Sequence, residues 1–193
     1  MYIVTQEYNS TYLIKKSKFI TYICNYQDFK SLISRLKNQH PKARHFVYAY
    51  RYLNEFEQIV ENSSDDGEPK GTSGKPALNV LSGNEMINTA VVIVRYFGGI
   101  KLGTGGLVRA YSEAVNQVLD VCEKQSYIKL IKKRVKVSYS NLSIVEYTIS
   151  LFQIDIIKKE FDAEVVLILE SSKEIFSQFK EKLIRDCEFI DEK

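Results

Sequence analysis

Residues 89–123 read TAVVIVRYFGGIKLGTGGLVRAYSEAVNQVLDVCE. The first nine, Thr89 to Phe97, form an apolar, β-branched run of the kind that makes a central strand covered on both faces. The last part places Leu107, Val108, Tyr111, Ala114, Val115, Val118, Leu119 and Cys122 on one face of a helix. Between them stand Gly98, Gly99, Gly103, Gly105 and Gly106. A helix start offers unpaired N–H groups and the positive end of the macrodipole, and glycine lets an anion come close to them. Lys101 and Arg109 add positive charge, and no acid occurs between Glu85 and Glu113. The segment is therefore predicted to seat an anion: a phosphate, a carboxylate or a nucleic-acid backbone. Thr104 as a plain helix cap is the simpler reading, but it leaves the glycines unexplained. Neither nucleotide fingerprint is present. Thr104 stands where a Walker A lysine belongs, and Val108 stands where GxGxxG needs its third glycine.

Upstream lies a second glycine segment, Asp65 to Pro76 (DDGEPKGTSGKP). All nine glycines of the chain fall between Gly67 and Gly106, as do Pro69 and Pro76. Lys70, Gly71, Thr72, Ser73, Gly74 and Lys75 are candidate anion contacts. Asp65, Asp66 and Glu68 are candidate ligands for Mg²⁺ or Ca²⁺, which favour oxygen. Their spacing is not that of an EF-hand, and acids in turns more often bond the local backbone. His45, opening the strand Arg44-His45-Phe46, and Asp66 are the candidates for catalysis. Ser73 or Thr104 as a nucleophile would require His45 as its base. A lone histidine in an aromatic strand is more often structural.

Charge is segregated along the chain. Residues 1–51 carry net +7, residues 52–68 carry −6, residues 69–134 carry +6 and residues 135–193 carry −4, within a total of +3. The basic cluster Lys129, Lys132, Lys133, Arg134, Lys136 is a second candidate for phosphate contact, with a solvated strand face as the plainer reading. Tyrosines in the strands are candidates for base stacking. The 45% of apolar residues suffices for a core. The longest apolar runs, Ala90–Val94 and Val165–Leu169, are far too short to span a membrane. Three distant cysteines without a CxxC fit a reducing compartment, and residues 1–8 lack the pattern of a secretory signal. A cytoplasmic location is expected.

Strands are expected at 2–8, 11–24, 44–52, 56–61 and 89–97, with helices at 28–38, near 78–81 and from the second glycine segment to about Glu123. From about Tyr127 the pattern becomes β-α-β-β-α-β. Strands are expected at 127–139, 154–160, 164–170 and 187–191. Ser143 with Glu146, and Ser171 with Glu174, have capping-box spacing. The chain is expected to be α+β with two domains, 1–125 and 126–193.

The segments DDGEPKGTSGKPALNVL (65–81) and VRYFGGIKLGTGGLVRAYSEAV (94–115) closely resemble the signatures of the YigZ/IMPACT family, and ARHFVYAYR (43–51) resembles a third, weaker one. The resemblance implies a first domain like domain 2 of ribosomal protein S5, followed by a ferredoxin-like domain, two folds that elongation factor G carries in the same order. It also implies a link to translation, since eukaryotic relatives regulate translation by binding the activator of the amino-acid-starvation kinase. The expected function is that of a non-catalytic regulator binding RNA, the ribosome or a translation-associated protein. The alternative is an enzyme or sensor for a small phosphorylated ligand or nucleotide, with Mg²⁺ held by the acids at 65–68, because the S5-like fold also occurs in small-molecule kinases. A third reading is a protein-interaction module whose glycines make a flat surface.

Overall fold

A computed structural model describes residues 1–183 and 186–190 of the chain. The chain divides into two compact units, Met1–Tyr127 and Ile128–Lys193, and is of the α+β class. The first unit runs β1 (Tyr2–Ile3), β2 (Tyr8–Ile14), β3 (Ser17–Asn25), α1 (Phe29–Gln39), β4 (His45–Leu53), β5 (Ile59–Ser64), α2 (Gly74–Gly83), β6 (Thr89–Tyr96), α3 (Thr104–Val121) and β7 (Gln125–Ser126). Pairing of β7 with β1 ties residues 125–126 to this unit.

Five strands form one antiparallel sheet in the order β2-β3-β6-β4-β5. β6 lies in the middle, and Thr89 through Arg95 are all buried. Strand alternation divides its side chains between two cores. Val91 and Ile93 pack with Ala77, Leu81, Tyr111 and Val115 of α2 and α3. Ala90, Val92 and Val94 pack with Leu32 and Leu36 of α1. Helices on both faces explain why an antiparallel strand reads as an unbroken apolar run. Each buried Val or Ile contributes about 1.5–3 kcal/mol, so the one charge in this run, Arg95, stands out.

The first hairpin departs from expectation. β2 continues through Asn9 and Ser10, and the turn comes at Lys15 and Lys16, both with positive φ (45° and 63°). That is the backbone of a type I′ turn, built here without glycine or asparagine, which hides it from sequence reading.

The second unit runs β8 (Leu130–Val137), α4 (Leu142–Leu151), β9 (Asp155–Phe161), β10 (Val165–Ser172), α5 (Lys173–Lys182) and β11 (Glu188–Ile190). Its antiparallel sheet has the order β11-β8-β10-β9. Val135, Val137, Leu167 and Leu169 pack against Val145, Ile149, Phe176 and Phe179 of the helices. The capping boxes are displaced. Ser172, not Ser171, caps α5 by accepting the Ile175 N–H at 3.2 Å. Ser143 lies inside α4, whose N-cap Asn141 makes no side-chain capping bond to the helix among the described residues. The last strand ends at Ile190, and Asp191 lies outside the described residues. Lys132, Arg134 and Lys136 each face an acid, Glu170, Glu160 and Glu164 respectively. The cluster is thus a charge-balanced sheet surface rather than a free phosphate contact. Among the described residues no helix is long and apolar enough to cross a membrane.

Candidate functional site

The two glycine segments border one cleft in the first unit, but in different ways. Helix α2 begins inside the protein, with Thr72, Ser73 and Gly74 buried. The Asp65 carboxylate accepts the N–H groups of Gly71, Ser73 and Gly74 at 2.7, 3.1 and 2.8 Å and the Ser73 hydroxyl at 2.6 Å. Desolvation pushes the Asp65 pKa up, but these four bonds, led by the Ser73 hydroxyl, outweigh it and hold the carboxyl below its ordinary value. The anion seat of this segment is therefore filled from within. Thr72, Ser73 and Gly74 are out of reach of a ligand, and Gly74 is required because a Cβ there would lie 2.7 Å from Ser64 backbone. Lys70, Gly71 and Lys75 are exposed, but none lines the cleft.

The three candidate metal ligands part company. Asp65 caps α2. Asp66 accepts the Phe46 N–H at 2.6 Å through its carboxylate. Glu68 turns inward to pair with Arg95 and to accept the Tyr111 hydroxyl at 2.8 Å. Burial, then the Glu68 charge, push the Tyr111 pKa far up, so the phenol stays a donor. Among the described residues no three metal-ligating side chains gather, and these acids do not fit a Mg²⁺ seat.

Helix α3 begins in the open. Gly103, its N-cap, has φ +74°, a conformation that strains any residue with a Cβ, and no side chain among the described residues caps the helix. Thr104 is the first helical residue and not the cap. No hydrogen bond to the amides of Thr104, Gly105 or Gly106 exists among the described residues. Gly103, Thr104 and Gly105 are exposed. Within this segment Gly98 has a structural duty instead: a Cβ there would lie 2.0 Å from the Lys16 carbonyl carbon, and its N–H is donated to Ser17 Oγ. Arg109 is exposed on the helix away from the cleft lining, and Val108 is exposed rather than in the core. Gly99 is exposed and also outside the lining.

The cleft encloses about 430 Å³ between the end of β6, the start of β4 and the start of α3, with Glu68 and Pro69 at its edge. A second lobe of about 320 Å³ shares Arg44, His45, Arg95 and Phe97 with it and adds Lys42 and Tyr96. Lys101, Leu102, Gly103, Thr104 and Leu107 belong to the first lobe. Lys42, Arg44 and Lys101 have no acidic partner among the described residues. His45 donates Nδ1–H to the Asp66 carbonyl at 2.9 Å, since a carbonyl only accepts, which leaves Nε2 without its proton in the neutral ring. Arg95, opposite His45 in the register, is only 6% exposed. Its guanidinium lies over the Phe19 and Phe97 rings, at 5.4 and 5.7 Å from their centroids. Its Nε finds no hydrogen-bond partner among the described residues.

Of the expected site residues, the structure brings His45, Glu68, Lys101, Gly103 and Thr104 together at the cleft. Gly105 and Gly106 follow within the first turn of the same helix. Ser73 spends its hydroxyl on Asp65, so it has no link to His45. Sequence reading missed Lys42, Arg44, Arg95 and Phe97. A charge inside the apolar run of β6 was the available signal for Arg95. Several tyrosines pack on neighbouring rings: Tyr52 stacks with Tyr26 at 4.0 Å, and Tyr48 and Tyr50 pack on Phe29.

The Impact N-terminal domain family matches residues 15–119. An IMPACT family member of Haemophilus influenzae is 37% identical over 173 residues, covering 88% of this chain and 84% of its own. The IMPACT family member YigZ of Escherichia coli is 35% identical over 173 residues, covering 88% and 85%. A solved structure described as a hypothetical protein superposes with a TM-score of 0.70 at 32% identity, covering 100% of this chain and 98% of its own.

Proposed function

The chain belongs to the YigZ/IMPACT family, and from that premise we propose that it is a non-catalytic, translation-related regulator that binds RNA, free or within the ribosome. One observation carries this reading: an uncapped, exposed helix start lies beside cations that no acid among the described residues neutralises. A phosphate there would accept from the α3 amides and from Lys101, bonds strengthened by charge. The translation link rests on what family resemblance implies, and supports RNA over other polyanions.

The same premise favours an S5-domain-2-like first unit. The ferredoxin-like reading of the second is supported by its β-α-β-β-α-β order and by strand neighbours running fourth, first, third, second. The Mg²⁺-dependent enzyme loses its support, because the acids expected to hold the ion serve as a cap, a backbone acceptor and a counter-ion.

Sedimentation of the protein with ribosomes, and fluorescence anisotropy with RNA, test the reading across a salt series. Binding is expected to weaken steeply with salt, and Lys101→Glu with Arg44→Glu is expected to abolish it without unfolding the protein. Salt-independent binding, or none to either target, sinks the reading.

A further inference from the structure

Resting on the RNA reading, we infer that the cleft holds an unpaired stretch of RNA, with one base stacked on Phe97 between two phosphates. Phe97 is the key. It stands just past the end of β6, is 56% exposed, and lines both lobes. A large aromatic at a strand end gains nothing from water. Arg95 nevertheless holds the ring in place, packed between Phe97 and Phe19 and tied to Glu68. The platform is therefore built in advance, with little side-chain freedom left to lose on binding.

Cationic poles flank that ring. One lobe offers the start of α3 with Lys101, the other offers Lys42, and Arg44 lines both. Successive phosphates bracket a base in a single strand, and this is the order anion, aromatic face, anion that the cleft presents. Pro69, Leu102 and Leu107 add an apolar wall in the first lobe, suited to a base or sugar and wasted on bare phosphate. A duplex cannot occupy such a site, because its base faces are hidden in the stack.

The test uses the full chain and two fluorescein-labelled probes, a ten-nucleotide oligoadenylate and a fully paired RNA hairpin, in anisotropy titrations. The single strand is expected to bind at least tenfold more tightly than the hairpin. Phe97→Ala should weaken single-strand binding about tenfold or more, Phe97→Trp should restore it, and Arg44→Ala should lower the salt slope by about one. The exposed position of Phe97 leaves the fold intact, which the thermal midpoint of each variant checks. Equal binding of hairpin and single strand, or an unchanged affinity in Phe97→Ala, overturns the inference while the RNA reading stands. Absence of binding to both probes and to ribosomes overturns the two together.

Discussion

Helices α2 and α3 both start from glycine-rich turns, yet their first amides meet opposite fates. At α2 the protein supplies its own anion, and Asp65 occupies the place a phosphate would take. At α3 no described residue does so, and the helix start faces solvent beside Lys101. Both ends obey the same physics, in which unpaired N–H groups and a positive dipole end demand negative charge. The difference teaches that glycine content alone does not mark a ligand site. What marks it is whether an acid lies within reach of the amides.

The largest expected effect comes from the residue joining the two segments. Glu68 leaves the first segment to balance Arg95 under the second, with side chains 4% and 7% exposed. Glu68→Ala leaves a buried guanidinium without its counter-ion and should cost about 3–5 kcal/mol of stability, measured by urea unfolding. A loss under 1 kcal/mol would mean that the segments are independent.

Next is Gly98→Ala. The added Cβ meets the backbone of the Lys15–Lys16 hairpin turn, not a movable side-chain end. A destabilisation of about 3 kcal/mol is expected. Tolerance of alanine would return Gly98 to the ligand-binding set.

Asp65→Ala should cost about 2 kcal/mol, because it strips the acceptor from three amides and a hydroxyl at a buried helix start. The effect depends on pH with a definite sign. The fold holds the Asp65 pKa below its ordinary value, so the unfolded chain takes up the proton first as pH falls. The stabilisation is complete above the unfolded value of about 3.9 and is lost as pH drops through the lower folded value. The gap between wild type and Asp65→Ala should therefore narrow below about pH 4. A gap that widens on acidification would remove the carboxylate from its capping role.

Much of this was legible in the residues. The apolar run of β6, the amphipathic α3 and the α+β division follow from periodicity and glycine placement. The special character of the helix start at Gly103 and Thr104 was legible because glycines cluster there and no acid lies near it in sequence. The occupied seat was not, because Asp65 reaches Gly74 across nine residues through a turn that only the fold defines. Likewise Lys42, Arg44, Arg95 and Phe97 meet only because β4 and β6 are sheet neighbours, a pairing with no local signal. The turn at Lys15 and Lys16 escaped notice because lysine rarely adopts positive φ.

Gly105→Ala gives the smallest effect on stability and the sharpest contrast. Unlike Gly98 or Gly103, Gly105 has neither a neighbour within 4 Å of an added Cβ nor a positive φ. Glycine in the first turn of a helix costs up to about 1 kcal/mol relative to alanine, so by folding alone alanine is the better residue here. The variant should melt at a higher temperature. If the α3 amides receive an anion, the same methyl group intrudes on its approach, and RNA binding should weaken severalfold. Higher stability with weaker binding would mark Gly105 as kept for a ligand. Higher stability with unchanged binding would leave the first turn of α3 no more functional than that of α2.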